Sequence, residues 1–95
     1  MRIEWTKLAD ADLKHIYSYI KRDSPNAAVA VLASIRRAVR GQLSISPLSG
    51  RFGRVSGTRE LIVPRLPYIV AYRVTGSSIQ VLRELHGAQR WPEDF

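Results

Sequence analysis

The first half of the chain has the hydrophobic spacing of two helices. Apolar residues recur every three or four positions from Leu8 to about Arg22, as one face of a helix requires. They are Leu13, Ile16, Tyr17 and Ile20. Ser24-Pro25 then begins a second helix, since serine caps free N–H groups and proline fits the first turn. The second stripe is Ala28, Leu32, Ile35, Val39 and Leu43. Pro47 ends this stripe, so the pattern predicts a helical hairpin.

Extended segments flank this helical hairpin on both sides. They are Arg2–Trp5, Arg59–Val63, Tyr68–Val74 and Ser78–Leu85. The last two are separated by Thr75-Gly76-Ser77, which has the composition of a β-hairpin turn. The predicted order is β-α-α-β-β-β, an α+β fold whose antiparallel sheet is covered on one face by the N-terminal helical hairpin. No repeat or linker divides the chain, so residues 1–95 form a single predicted domain.

The register of the β-hairpin decides which arginines share a face. With Gly76-Ser77 as a two-residue turn, Arg73 lies opposite Gln80, and Arg83 then points to the other face of the sheet. A bulge or a longer turn would shift the register and bring Arg73 and Arg83 to one face. The sequence leaves both arrangements open.

Arginine is concentrated in the middle of the chain. Between Ser24 and Arg83 there are nine arginines, no lysine and one acidic residue, Glu60, whereas residues 1–23 mix both signs. The planar guanidinium matches the oxygens of phosphate and carboxylate groups, and its charge survives partial burial. A formal net charge of +7 also favours a polyanion. We therefore expect a nucleic-acid backbone or an acidic protein as partner, gripped by arginines that converge on one concave surface.

Other classes of site are disfavoured by composition. The chain has no cysteine, and its two histidines, His15 and His86, are far apart in sequence. We therefore expect neither a metal site nor a cofactor. No apolar run approaches membrane-spanning length and the N-terminus lacks an apolar signal core, which predicts a cytoplasmic protein without a membrane partner.

The ordered residues from Pro47 to Pro92 resemble a known family. The loop Gly50–Leu61 leads into Pro-Tyr-Ile-Val-Ala-Tyr-Arg-Val, and Ile79–His86 follows. Matching positions nearer the N-terminus are Trp5, Ala9, Asp12, Leu13, Ile16, Tyr19, Ile20, Ser24 and Pro25. This set resembles toxins of the RelE/ParE superfamily, the toxin halves of type II toxin–antitoxin modules. The family fold has the same β-α-α-β-β-β order.

The resemblance implies two alternative activities. RelE-like members cleave mRNA in the ribosomal A site, whereas ParE-like members poison DNA gyrase without cleaving RNA. Both are held inactive by an antitoxin, often through an acidic segment laid across the basic face. The expected partners are therefore a cognate acidic antitoxin together with the ribosome and mRNA, or alternatively DNA gyrase.

RNA cleavage without a metal needs a proton acceptor for the 2′-hydroxyl, positive charge for the phosphorane and an acid for the departing oxygen. His86 is the predicted proton-transfer residue, and its place after the last strand resembles that of a C-terminal histidine in some cleaving relatives. A structural cap at the strand end explains His86 equally well. The candidate catalytic residues are His86, Arg59, Arg73 and Arg83.

Five further residues are candidates for substrate binding. Arg51 and Arg54 lie in a Gly-Arg-Phe-Gly-Arg loop, where small residues let a phosphate approach the backbone, although a structural turn also needs such glycines. Arg65 could hold the substrate backbone, and Tyr68 and Trp91 could stack on bases.

One departure from the cleaving relatives weakens the nuclease interpretation. Those relatives often place a basic residue directly after the tyrosine that opens the third strand, where this chain has Ile69. The prediction remains a ribosome-dependent mRNA endonuclease, with gyrase inhibition as a close alternative.

Overall fold

The computed structural model describes all 95 residues, and its elements follow the predicted order. They are β1 (Arg2–Trp5), α1 (Lys7–Lys21), α2 (Pro25–Ala38), β2 (Arg51–Phe52), β3 (Arg59–Ile62), β4 (Tyr68–Thr75) and β5 (Ser78–His86). A π-helical turn, Val39–Leu43, extends α2. The predicted β-α-α-β-β-β order is confirmed, with the two-residue β2 as an addition.

Side-chain caps define where both helices begin. The hydroxyl of Thr6 accepts a hydrogen bond from the Ala9 N–H at 3.2 Å, and that of Ser24 accepts one from the Ala27 N–H at 3.1 Å. Each cap satisfies one of the free N–H groups at a helix start. The Ser24-Pro25 start signal in the sequence is therefore confirmed.

The sheet is mixed rather than wholly antiparallel. Its strand order is β1-β5-β4-β3-β2, and β1 pairs with β5 in parallel, with Ile3 opposite Ile79. The other neighbours pair antiparallel. The predicted antiparallel sheet is thus wrong at β1, because hydrophobic alternation identifies an extended segment but not the direction in which it joins the sheet.

The helices cover one face of the sheet, and part of the opposite face is also buried. Leu13, Ile35, Val70 and Tyr72 belong to the core between the helices and the sheet. Ile69, Ala71 and Leu85 are also buried but alternate with these core positions, so they face the opposite side. There the C-terminal segment approaches them, since a Cβ added at Gly87 would lie 3.4 Å from Ile69 Cδ1.

A β-bulge interrupts the β4–β5 hairpin. Arg73 lies opposite Gln80, as a two-residue turn at Gly76-Ser77 requires, but Ala71 lies opposite Arg83, which leaves Leu82 as the extra residue on β5. The Thr6 hydroxyl lies 3.1 Å from the Leu82 carbonyl oxygen and donates to the backbone at this point. Because Ala71 and Arg73 share a face, the bulge places Arg83 on that face as well.

Candidate functional site

Glu60 is a buried carboxylate held by two of the predicted substrate-binding arginines. Arg51 Nη2 lies 2.8 Å from Glu60 Oε1, and Arg54 Nε lies 3.1 Å from Oε2. The Arg54 backbone N–H also donates to Oε2 at 2.9 Å. Burial alone would raise the pKa of Glu60, but the Arg54 amide and the two guanidinium groups together hold it below its usual value. These arginines therefore fix the loop before β3.

Arg83 is engaged with the first helix. Its Nε and Nη2 donate to the two carboxylate oxygens of Asp12 at 2.8 and 3.0 Å, and Asp12 Oδ2 also accepts the Glu84 N–H. The hydrogen bond to Asp12 raises the pKa of Arg83. Although the bulge places Arg83 on the Arg73 face, its guanidinium is committed to tying β5 to α1.

Glu84 is a second buried carboxyl and has no hydrogen-bond partner. It is 2% exposed, and neither of its oxygens is bonded within the protein. Burial raises the pKa of Glu84 well above its usual value, and the negative charge of Asp12 raises it further. We therefore expect this side chain to be neutral well above the pH at which an exposed glutamate ionises.

Arg59 and Arg73 line one open groove, which we call the Phe52 groove. Its lining residues are Leu48, Phe52, Gly53, Gly57, Thr58, Arg59, Arg73 and Val74, around a volume of about 330 Å³. Arg59 stacks on the Phe52 ring at 4.6 Å and donates to the Leu48 and Gly50 carbonyl oxygens. Arg73 is exposed and makes no ion pair.

The apolar side chains of the Phe52 groove are unusually open to solvent. Leu48 is 62% exposed and Phe52 is 82% exposed. The groove therefore combines apolar surface with positive charge, which suits an amphipathic acidic segment better than a bare phosphate.

His86 lies at the opposite end of the β4–β5 hairpin. Its Nδ1 accepts the Ala88 N–H at 3.0 Å, which leaves the ring proton of the neutral form on Nε2. Trp91 Nε1 donates to the His86 carbonyl oxygen at 3.3 Å, and the Arg54 guanidinium stacks 3.7 Å from the Trp91 ring centroid. The ring of Tyr68 meets His86 edge to face, but Tyr68 is only 8% exposed and belongs to the core.

The single concave cluster of arginines expected from the sequence is not formed. His86 on β5 pairs with Tyr68 on β4. Arg73 lies five residues beyond Tyr68 on β4, which separates Arg73 from Tyr68 by about 17 Å at the usual rise of a strand. Arg65 is exposed in the β3–β4 turn, in a depression that it shares with Arg37. The expectation fails because Glu60 and Asp12 each bind nearby arginines and the hairpin separates the rest.

Three residues of the candidate site were not identified from the sequence. Asp12 binds the Arg83 guanidinium, Glu84 follows Arg83 in the chain, and Phe52 lines the Phe52 groove. The only sequence signal for Asp12 was its place in the Asp12-Leu13 pair of the family resemblance.

No three metal-ligating side chains lie close enough to hold an ion, and none of the helices combines the length and apolar character that a bilayer span requires.

Comparison with known proteins places this geometry in context. The sequence profile described as "ParE toxin of type II toxin-antitoxin system, parDE" matches residues 3–91. Toxin Y4kP of Sinorhizobium fredii is 42% identical over 92 residues, covering 97% of this chain and 94% of the relative. Toxin RelE2 of Caulobacter vibrioides is 31% identical over 88 residues, covering 93% and 97%. A solved chain from the "Chromosomal ParDE TA system from P. aeruginosa" superposes with a TM-score of 0.81 at 33% identity, covering 90% of this chain and 95% of that chain.

Proposed function

Because the chain belongs to the ParE toxin family of type II toxin–antitoxin systems, we propose that it inhibits DNA gyrase by binding, without cleaving RNA. The observation that carries this choice is the separation of the groups that cleavage would need. The proton-transfer candidate, His86, and the unpaired cation, Arg73, lie at opposite ends of one hairpin. One phosphate cannot contact both.

The arginines nearer to His86 do not replace Arg73. Arg54 is bound to Glu60 and stacked on Trp91, and Arg83 is bound to Asp12. Stabilising a phosphorane requires donors that point to the developing charge and need no rearrangement at the moment of reaction. Freeing Arg83 would remove both guanidinium hydrogen bonds from Asp12, and freeing Arg54 would remove one of the two cations that hold the buried Glu60. Either change is costly.

Brief expression of the free toxin separates the two activities. Gyrase inhibition predicts DNA double-strand breaks and induction of the DNA-damage response, with mRNA 5′ ends unchanged. Codon-phased new 5′ ends without DNA damage would refute the proposal. His86→Asn is the matched variant, since the asparagine side-chain oxygen can accept the Ala88 N–H while the imidazole is removed. We expect this variant to remain toxic.

Ribosome-dependent mRNA cleavage is the second candidate, and one feature favours it. His86 is partly exposed, its Nε2 is not used by another protein group, and Trp91 lies beside it as a potential stacking surface. The relative named toxin RelE2 is consistent with this alternative. Under it, His86→Asn would abolish toxicity.

The partner of a type II toxin is an antitoxin, and we propose that an acidic, amphipathic antitoxin segment occupies the Phe52 groove. Phe52 and Leu48 supply exposed apolar contact area, while Arg73 supplies a free guanidinium for a carboxylate. β2 also lies at a sheet edge, so its outer backbone groups are open to an added strand.

A further inference from the structure

A second basic surface lies on α2, the π-helical turn that extends it and the β3–β4 turn, and it includes the predicted substrate-binding residue Arg65. It consists of Arg36, Arg37, Arg40 and Arg65, which we call the α2 arginine surface. All four side chains are exposed, and none makes an ion pair within the protein. The chain from Ser24 to Arg59 contains no acidic residue that could neutralise them.

The four arginines form one continuous surface. Arg36, Arg37 and Arg40 line a depression of about 430 Å³ together with Ala33 and Gly41. Arg37 also lines the neighbouring depression that contains Arg65. Gly41 has no heavy atom within 4 Å of where a Cβ would stand, so the backbone is open there to a close approach.

Arg65 occupies a backbone position that normally excludes a side chain of its kind. The Leu66 N–H donates to the Val63 carbonyl oxygen across a turn, with Pro64 second and Arg65 third. Arg65 has φ +65°, the one left-handed non-glycine residue in the protein. Glycine or asparagine is usual at this turn position because side chains are strained there. The strained backbone at Arg65, beside Arg37, points to a use for the charge of this guanidinium.

Helix electrostatics explains only part of the surface. Arginines in the last turns of a helix interact favourably with the negative end of its dipole, which accounts for Arg36, Arg37 and Arg40. Arg65 lies on a different element, so the dipole gives no reason for its presence.

We propose that the α2 arginine surface binds the phosphate backbone of duplex DNA. A protein partner would need an exposed apolar centre with large anchors, but Ala33 is the single apolar residue in the depression formed by the three helical arginines. The apolar residues that line the adjoining depressions, such as Val39, Val63 and Leu66, are buried or packed against the core. Closely spaced guanidinium groups without such a centre match a row of phosphates instead. This inference does not depend on gyrase being the target.

The salt dependence of binding tests the proposal. We would measure fluorescence anisotropy of a labelled DNA duplex with the purified free toxin between about 50 and 200 mM salt. Four phosphate contacts predict a slope of log affinity against log salt of about −3.6, or roughly a 150-fold loss over this range. The double variant Arg37→Gln/Arg65→Gln should reduce the slope to about −1.8.

A matched variant distinguishes this surface from net charge. Arg22→Gln/Arg90→Gln removes the same charge at two exposed positions elsewhere, and it should leave the slope near the wild-type value. Equal losses in the two double variants would overturn the proposal. Binding of polyglutamate without binding of DNA would also overturn it and would identify an acidic protein as the partner.

Arg65→Gly supplies an independent readout. Glycine relieves the left-handed strain, so this variant should melt at a higher temperature than the wild type while its DNA affinity falls. Arg65→Lys should retain most of the affinity, because a phosphate contact needs charge more than geometry. Unchanged affinity in Arg65→Gly would contradict the proposed role.

Discussion

Two acidic residues near the candidate site, Glu60 and Asp12, determine what their neighbouring arginines can do. Glu60 fixes Arg51 and Arg54, whereas Asp12 fixes Arg83. Arg73 has no such partner and is therefore the arginine of this group that can bind an external anion. An arginine in the sequence is a candidate for binding an anion. Whether its guanidinium is free to do so depends on whether a carboxylate lies next to it in the folded protein.

Replacing Glu60 tests the first of these contacts. Glu60→Gln should lower the free energy of unfolding at pH 7 by about 2 kcal/mol, the typical size of a charge-assisted contact. The pKa of Glu60 is depressed in the fold, so its contribution is present above the unfolded-state pKa and is lost as pH falls through the folded one. Urea denaturation at pH 7 and at progressively lower pH should show the difference shrinking. A difference independent of pH would exclude this ionic role.

Glu84 should show the opposite pH dependence. Its pKa is raised in the fold, so wild-type stability falls as pH rises from the unfolded-state pKa toward the folded one. Glu84→Gln removes this titration and should be more stable than the wild type at pH 8, with the advantage shrinking toward pH 5. Thermal melts across that range provide the measurement. If the wild type instead became more stable relative to Glu84→Gln between pH 5 and pH 8, the charged form of Glu84 would have a stabilising partner.

At the scale of the elements, Tyr72 joins the sheet to the connection that follows α2. Its fully buried hydroxyl accepts the Gly50 N–H at 2.9 Å and donates to the Pro47 carbonyl oxygen at 2.8 Å. Gly50 is required beneath it, since a Cβ there would lie 2.5 Å from the tyrosine oxygen. This contact fixes one side of the Phe52 groove.

Removing that hydroxyl should loosen the connection. Tyr72→Phe leaves the buried Gly50 N–H and the part-buried Pro47 carbonyl without this partner and should cost about 1–3 kcal/mol of stability. In the variant, the Gly50 amide should exchange its hydrogen faster than it does in the wild type, whereas amides within α1 should keep their wild-type exchange rates. Unchanged protection at Gly50 would mean that other contacts hold the connection.

The Phe52 groove gives an element-scale prediction for the antitoxin. Arg73→Glu reverses the free charge in the groove and should weaken antitoxin binding by at least about tenfold, since like charges across an interface are costly. Calorimetry with the cognate antitoxin measures this, and Arg90→Glu is a charge-matched control outside the groove. Equal affinity of Arg73→Glu and wild type would place the antitoxin elsewhere.

Local patterns predicted most of the elements but not how they join. The helical stripes, the Ser24 cap and the pairing of Arg73 with Gln80 follow from short-range periodicity and turn chemistry. The parallel pairing of β1 and the bulge at Leu82 depend on contacts between residues far apart in sequence, including the Thr6 hydroxyl. No pattern within a single segment contains that information.

At the scale of the whole molecule, the arginines fall into separate surfaces instead of one. The β4–β5 hairpin places Arg73 and His86 at opposite ends, while the α2 arginine surface forms a further group. The sequence resembled toxins of the RelE/ParE superfamily, and this family is confirmed. The division of the charge could not be predicted because it depends on which arginines meet Glu60 and Asp12 after folding.

The reaction of purified gyrase with supercoiled plasmid tests the central claim most directly. Wild-type toxin and His86→Asn should both trap gyrase on cleaved DNA and produce linear plasmid in the same dose range, while mRNA on programmed ribosomes stays intact. If gyrase stayed fully active while ribosome-bound mRNA was cleaved by the wild type and not by His86→Asn, this result would contradict the account.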